Sequence, residues 1–510
     1  MKRTILIPLL CMAIASKAQN VAPLWTDFVQ AKKQGKTPVL PDFSYAGYHW
    51  SEKNLPDLSG KKVFKVDDYG AIPNDEGYDD DAIQKAVDAA EANPGGGIVQ
   101  FSRGKYLIAA DNDSTKQIRI SKSGIVLKGA GSTAGGTEIY QANMRIHGRQ
   151  FLFQPAAGGQ KKLTTIVAGA GRETYALMVQ DVKKLKVGQD VVIRHRTEEF
   201  TKLYFAPLDL KPQWTRLFGN PGGMQIYEIH TIEKIEGNQV TFKNPIHLDI
   251  QMVKSGSWDI ENYNSISECG VEDILFSSNW KNYPEEFIHH KNQIHDYAYE
   301  AVGMEYLKDS WIRNCEFHDL NEGVFIRSGY RITIENTHFR GKKGHASIHA
   351  RTGYGVLIRN CSFNGAHHHG AGTGYSAVGT VITKCSLGQD QNFDIHSGQP
   401  YATLYDDIKG GVFYNLGGPE GGHPHHGKEL VLWNFQHESV KDQHYNFWDM
   451  SRRRNYTIAA PILVGFTSDR AVTFEKAGVN ESQGKRVLPL SLFEAQLELR
   501  QKGTNIAQTK

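Results

Sequence analysis

The chain has 510 residues, 22% charged and 40% hydrophobic, which is enough for a large core and excludes a disordered chain. A net charge of +3 is too weak for a nucleic-acid binder and suits an anionic glycan. The 51 glycines follow no collagen period and fit a fold with many turns.

The start reads as a signal peptide over residues 1–18. Lys2 and Arg3 form a charged head, Ile5 to Ala15 a short apolar stretch, and Ser16-Lys17-Ala18 a cleavage region. Export to the periplasm, the cell surface or the medium follows. The apolar stretch is too short to span a bilayer, and no other segment is apolar enough. Cys11 would suit a lipid anchor, but Leu10 before it fits poorly. Residues 19–60 show no period and are expected to wrap the body.

From residue 61 the signals sharpen. Val63-Phe64-Lys65-Val66 is a strand, and Asp79-Asp80-Asp81 is placed to cap a helix with the apolar face Ala82, Ile83, Ala86, Val87 and Ala90. Pro94-Gly95-Gly96-Gly97 ends that helix. Strands follow at Ile98 to Phe101 and around Ile125-Val126-Leu127. The run from Asp67-Asp68-Tyr69-Gly70 through the helix to Gly129-Ala130-Gly131 resembles the opening of pectin-lyase-like proteins. That likeness covers about 70 residues. It implies an all-β, right-handed parallel β-helix, a solenoid with an N-terminal capping helix. It says little about substrate, because many activities share the fold.

An internal repeat agrees with a solenoid. Ile312-Arg313-Asn314-Cys315-Glu316-Phe317 recurs from Ile334, Ile358 and Ile382, at spacings of 22, 24 and 24 residues. Val271 to Phe276 is an earlier copy. The Ile, Cys/Thr and Phe columns are expected to face inward, and Asn314, Asn336 and Asn360 to stack at a bend. A stacked cysteine column reads as small apolar filling, so Cys269, Cys315, Cys361 and Cys385 are expected as buried free thiols. The solenoid is expected over 61–410, with a β-rich insertion at about 132–260. Residues 411–510 are expected to hold terminal rungs and a cap. The rung pattern fades after 410, and Leu492 to Gln501 reads as an amphipathic helix.

Histidine is the anomaly: 16 of the 21 fall between residues 289 and 444. They cluster at His289-His290, His367-His368-His369 and His423-Pro424-His425-His426. Counting back from the repeat puts Met304, Ile326, Ile348 and Ile395 in one inward column. Their outward neighbours are then Glu305, Arg327, His349 and His396. The glycine-rich rung between offers Thr373 or Tyr375, and Asp394 shares the face of His396.

Such a ridge suits β-elimination from a uronate. Arg327 would neutralise the substrate carboxylate, His349 or His396 would remove the proton, and Tyr375 or the second histidine would protonate the leaving oxygen. Glu305, His345, His367, His368, His369 and Asp394 are expected to bind the glycan, and Trp280, Tyr283, Trp433 and Trp448 could serve as sugar platforms. The layout is similar to polysaccharide lyase family 29, which implies a chondroitin-type substrate, although no catalytic motif matches residue by residue. The alternatives are a glycoside hydrolase using Glu305, Glu322, Asp390 or Asp394, and a non-catalytic glycan-binding protein. No residue demands a cofactor, and no metal ligands are assigned. A divalent cation is compatible with the histidines, but three consecutive ones on a strand cannot all face one ion. The chain is expected to act as a monomer.

Overall fold

The computed structural model describes residues 20–156, 159–389, 391–412, 417–451 and 456–507. The signal-peptide region, including Cys11, and Asp390 lie outside the described residues. The body is a parallel β-helix in which successive coils contribute strands to three stacked series. One contains Glu300–Glu305, Glu322–Glu335, Ala346–Tyr354, Gly372–Val378 and Asp394–Ile395. A second contains Leu307–Arg313, the end of Glu322–Glu335, Leu357–Arg359 and Val381–Thr383. The third contains Ile274–Ser278, Glu316–His318, His338–Arg340 and Ser362–Phe363.

The repeat explains why this sequence coils. Ile312, Ile334, Ile358 and Ile382 stand in register and are fully buried. Each removes an aliphatic side chain from water, worth about 1.5–3 kcal/mol. Phe276, Phe317, Phe339 and Phe363 stack with centroids 5.0, 4.8 and 5.2 Å apart. Each pair adds about 0.5–1.5 kcal/mol to the burial term. Asn314, Asn336 and Asn360 take left-handed backbone angles at the bend, φ 54°, 49° and 54°. Asparagine tolerates that region better than most residues. The four cysteines are free and buried, and the Cys315, Cys361 and Cys385 thiols each lie against the carbonyl two residues earlier.

Three expectations need correction. Rungs are present beyond 410, where Leu430–Trp433, Ile462–Val464 and Val479–Glu481 continue the second series. Their column positions pass from isoleucine to Tyr405, Leu432 and Leu463, so the motif changes while the register persists. The insertion also starts later than 132, because Thr137–Gln141 and Arg149–Phe153 pair with solenoid strands. Beyond them six antiparallel strands, from Lys162–Ile166 to Trp258–Asn262, form a lateral lobe. The helix Asp80–Ala92 buries the expected face, but the Asp79 carboxylate does not cap it. It accepts bonds from the backbone N–H groups of Ile72 (3.0 Å) and Leu107 (3.1 Å) instead. The C-terminal helix is longer than expected, Leu492–Ala507.

Residues 20–52 and 481–500 meet on the flank. Val21 pairs with Leu488, Phe43 N–H donates to Gln496 Oε1 (2.9 Å), and Arg500 Nη2 donates to the carbonyls of Ser44 (2.9 Å) and Trp50 (2.7 Å). No described helix is long and apolar enough to cross a membrane.

Candidate active site

The outward face of the first series carries the candidate site, and its register corrects the single file expected from sequence. Glu305, Arg327, Arg351, Gly374 and then His396 follow one another in one column. His349 belongs to the neighbouring outward column with Phe325, Gly372 and Asp394. The rung from Arg327 to Arg351 takes 24 residues, whereas the earlier alignment of Ile326 with Ile348 used 22. Ile348 pairs with Val324.

The rung between these groups contributes no outward side chain at either column. A Cβ on Gly372 would stand 2.2 Å from the Asp394 carbonyl oxygen, and one on Gly374 would stand 2.8 Å from His396 Cβ. Thr373 points inward and is fully buried. The bare rung leaves a notch, and side chains on either side, about 10 Å apart along the stack, meet inside it.

Asp394 is the hub. Its Oδ1 lies 3.0 Å from His369 Nδ1, and its Oδ2 lies 3.0 Å from His396 Nδ1 and in close contact with His349 Nε2. Burial alone would raise the Asp394 pKa, but the His369, His396 and His349 rings hold it well below the usual carboxylate range. An ionised carboxylate only accepts, so the facing nitrogens carry the protons. His349 Nδ1 then accepts from Arg351 Nη2 at 3.1 Å, and burial pushes its pKa down to about 3. His396 differs. Its side chain is 12% exposed, and no described residue bonds its Nε2.

The arginines divide by partner. Arg327 is held by Glu305, which also accepts from Gln154 Nε2 at 2.9 Å and faces Arg149 Nη1 at 3.7 Å. Arg351 has no carboxylate within ion-pair distance among the described residues. Its guanidinium lies 5.2 Å from the Phe325 ring and 5.3 Å from the Tyr375 ring. Tyr375 gets there through a bulge. Gly374 pairs with Arg351 and Ala377 with Gly353, so Tyr375 and Ser376 oppose Thr352 alone, and Tyr375 takes φ 52°. Its ring lies 6.5 Å from that of His396. Arg216, from the lobe, lies 5.4 Å from its ring.

Beside these, Glu300 and Glu322 pair on adjacent rungs and are both buried. Burial and the Glu322 charge raise Glu300 well above the carboxylate range. Burial acts against Glu322 too, but Arg149, His349 and Arg351 hold it low.

His345, His368 and His369 join His289 at the other edge of the site. His367 does not, because its Nε2 turns to the Leu320 carbonyl at 3.2 Å. The 423–426 histidines are buried, with His425 on Thr457 and His426 on Thr403. Trp280, Trp433 and Trp448 are core residues and Tyr283 stacks on Trp280, so none is an open sugar platform. Arg351, Arg149 and Phe325 escaped the sequence reading. A 24-residue offset from Arg327 would have found Arg351.

The sequence model described as "Rhamnogalacturonase A/epimerase, pectate lyase-like" matches residues 63–325, and one described as a domain of unknown function, DUF4955, matches 366–506. The site spans the junction. Glu300, Glu305 and Phe325 fall in the first match, His369, Asp394 and His396 in the second, and Arg327, His345, His349 and Arg351 between them. No curated protein matches. Among solved structures, the tailspike gp49 of Pseudomonas phage LKA1 is 13% identical, with a TM-score of 0.43, covering 84% of this chain and 82% of its own. The A-module of the Azotobacter vinelandii mannuronan C-5 epimerase AlgE4 is 12% identical, with a TM-score of 0.42, covering 83% and 96%. The gp54 tailspike of Acinetobacter baumannii bacteriophage AP22, solved with a capsular saccharide, is 13% identical, with a TM-score of 0.38, covering 82% and 69%.

Proposed function

The chain belongs to the rhamnogalacturonase A/epimerase, pectate lyase-like family, and from that premise we propose that it is an exported polysaccharide lyase acting as a monomer on a uronate-containing glycan. One observation carries the reading. A guanidinium with no ion-paired carboxylate among the described residues, Arg351, stands beside an aspartate-oriented imidazole, His396, and a phenol, Tyr375.

Arg351 takes the substrate carboxylate in a bidentate grip and withdraws charge from it, so the proton on the adjacent C5 becomes removable. His396 accepts that proton at Nε2, while Asp394 holds Nδ1–H and stabilises the imidazolium. The C5–H electron pair becomes the C4–C5 double bond, the C4–O bond breaks, and Tyr375 protonates the leaving oxygen. Arg327 and Glu305 flank the Arg351 position and contact neighbouring sugars. A chondroitin-type glycan, as the likeness to polysaccharide lyase family 29 suggests, is the first substrate to try.

Among the described residues, Glu305, Glu322 and Asp394 speak against hydrolysis. Glu305 is engaged by Arg327, Asp394 by three imidazoles, and Glu322 by Glu300. A glycosidase needs two carboxyl groups about 5–9.5 Å apart across the scissile bond, and a hydrogen-bonded pair leaves no room for it.

Purified protein should be assayed on uronate glycans for near-ultraviolet absorbance, which unsaturated products give. Reducing ends released without absorbance would replace this reading with a hydrolase. Exchange of the C5 proton without absorbance would leave proton abstraction and remove elimination.

A further inference from the structure

Behind His369 lies a second arrangement that the elimination chemistry does not use. The Nδ1–H of His369 is committed to Asp394, so its Nε2 carries a lone pair, and that nitrogen lies 3.3 Å from His289 Nε2. His289 stacks on His368 at 3.8 Å between centroids. The candidate ligand nitrogens of His289, His368 and His369 all lie within 4.8 Å of one another. His345 completes the group. Its Nδ1 bonds the Asp296 carbonyl at 2.8 Å, and its Nε2 is buried with no hydrogen-bond partner among the described residues. Its ring lies 5.4 Å from that of His289 and 5.0 Å from that of His369.

We propose that His289, His368 and His369, with His345 as fourth ligand, bind a divalent transition-metal ion of the zinc class. Metal–imidazole bonds of about 2.0–2.1 Å put tetrahedral ligands about 3.3–3.4 Å apart, the separation seen between His369 and His289. An all-imidazole set selects zinc, copper or nickel over the oxygen-seeking calcium and magnesium. The outer partners are those of metal-bound histidines: a carboxylate on His369 and a backbone carbonyl on His345. The ion would fasten the 283–297 segment, which carries His289, to the coil carrying His368 and His369. His367 faces away, so two of the three consecutive histidines serve.

The proposal does not rest on the lyase reading. Protein carrying no histidine tag should be stripped with chelator and titrated with Zn2+ and Co2+. One equivalent should bind, and Co2+ should give the intense visible bands of a tetrahedral site. His289→Ala and His368→Asn should each weaken binding at least tenfold, whereas His396→Ala should leave it intact. Melting curves without metal verify that the variants fold. Failure to bind overturns the proposal. So does binding that survives both variants, or binding lost in His396→Ala and His349→Ala, which would move the ion onto Asp394. Metal binding is read from the titration and the cobalt spectrum, and elimination from the absorbance assay, so failure of one reading is distinguishable from failure of the other.

Discussion

Asp394 and His349 touch across a rung that places no side chain between them, because Gly372 occupies the intervening position of their column. A methyl group there would stand 2.2 Å from the Asp394 carbonyl oxygen and 2.6 Å from its Cβ. Gly372→Ala is therefore expected to displace Asp394 and lower kcat/KM at least a hundredfold. The melting temperature should fall by only a few degrees, since the inward columns are untouched. Steady-state kinetics and calorimetry check this; full activity would show that the notch is not needed.

Arg351 and Arg327 should separate in kinetics. Arg351→Ala is expected to cost about 3 kcal/mol in kcat/KM, the scale of a charge-assisted bidentate contact, and Arg351→Lys to recover only part. Arg327 is 47% exposed and already held by Glu305, so Arg327→Ala should cost about 1 kcal/mol or less. The reverse order would reassign the carboxylate grip.

His396→Ala is expected to lower kcat about 10²–10⁴-fold, the usual worth of a positioned base. Asp394→Asn should lower kcat similarly with little change in KM, because the ring loses its fixed tautomer. A large KM effect from either would make these binding groups.

Asp406 ties the C-terminal helix to the solenoid. Its carboxylate accepts from Ser491 Oγ (2.5 Å), Leu492 N–H (2.8 Å) and Thr383 Oγ1 (2.8 Å). Asp406→Ala leaves these buried donors unpaired and should cost about 3 kcal/mol in denaturant unfolding. A loss below about 1 kcal/mol would mean that the helix is held by its apolar contacts alone.

Glu429 gives a pH signature away from the site. Burial raises its pKa from 4.5 to about 7 against Arg172 and Lys428, with Glu173 adding to the rise and His247 opposing it. A raised folded pKa favours the protonated form, so this contribution is complete below pH 4.5 and is lost as pH climbs through 7. It amounts to about 3 kcal/mol. Glu429→Gln should melt progressively higher relative to the unmodified protein from pH 4.5 to about pH 7 and hold that margin above it. A constant difference would show that Glu429 ionises normally.

The solenoid was legible because its inward columns repeat one chemistry, as Ile312, Ile334, Ile358 and Ile382 do. Beyond Ile382 the same column is filled by Tyr405, Leu432 and Leu463, which burial permits and a repeat search misses. On the outward face nothing repeats, so its register had to be inferred, and one rung of 24 residues read as 22 hid Arg351 behind His349. His289 was visible as a cluster but not as a neighbour of His369, because the 283–297 segment reaches the site from outside the repeat.

The meeting of residues 20–52 with 481–500 ties together two stretches that lie far apart in the chain. Coils can accumulate during synthesis, and the 20–52 segment seats partly on them and on the lobe, with Tyr48 N–H on Thr333 Oγ1 (2.8 Å) and Asp42 N–H on Glu173 Oε2 (3.0 Å), but its bonds to Leu488, Gln496 and Arg500 close only when 481–500 leaves the ribosome. Removing 481–500 should thus loosen the 20–52 segment, in contrast to repeat arrays that shorten without penalty elsewhere.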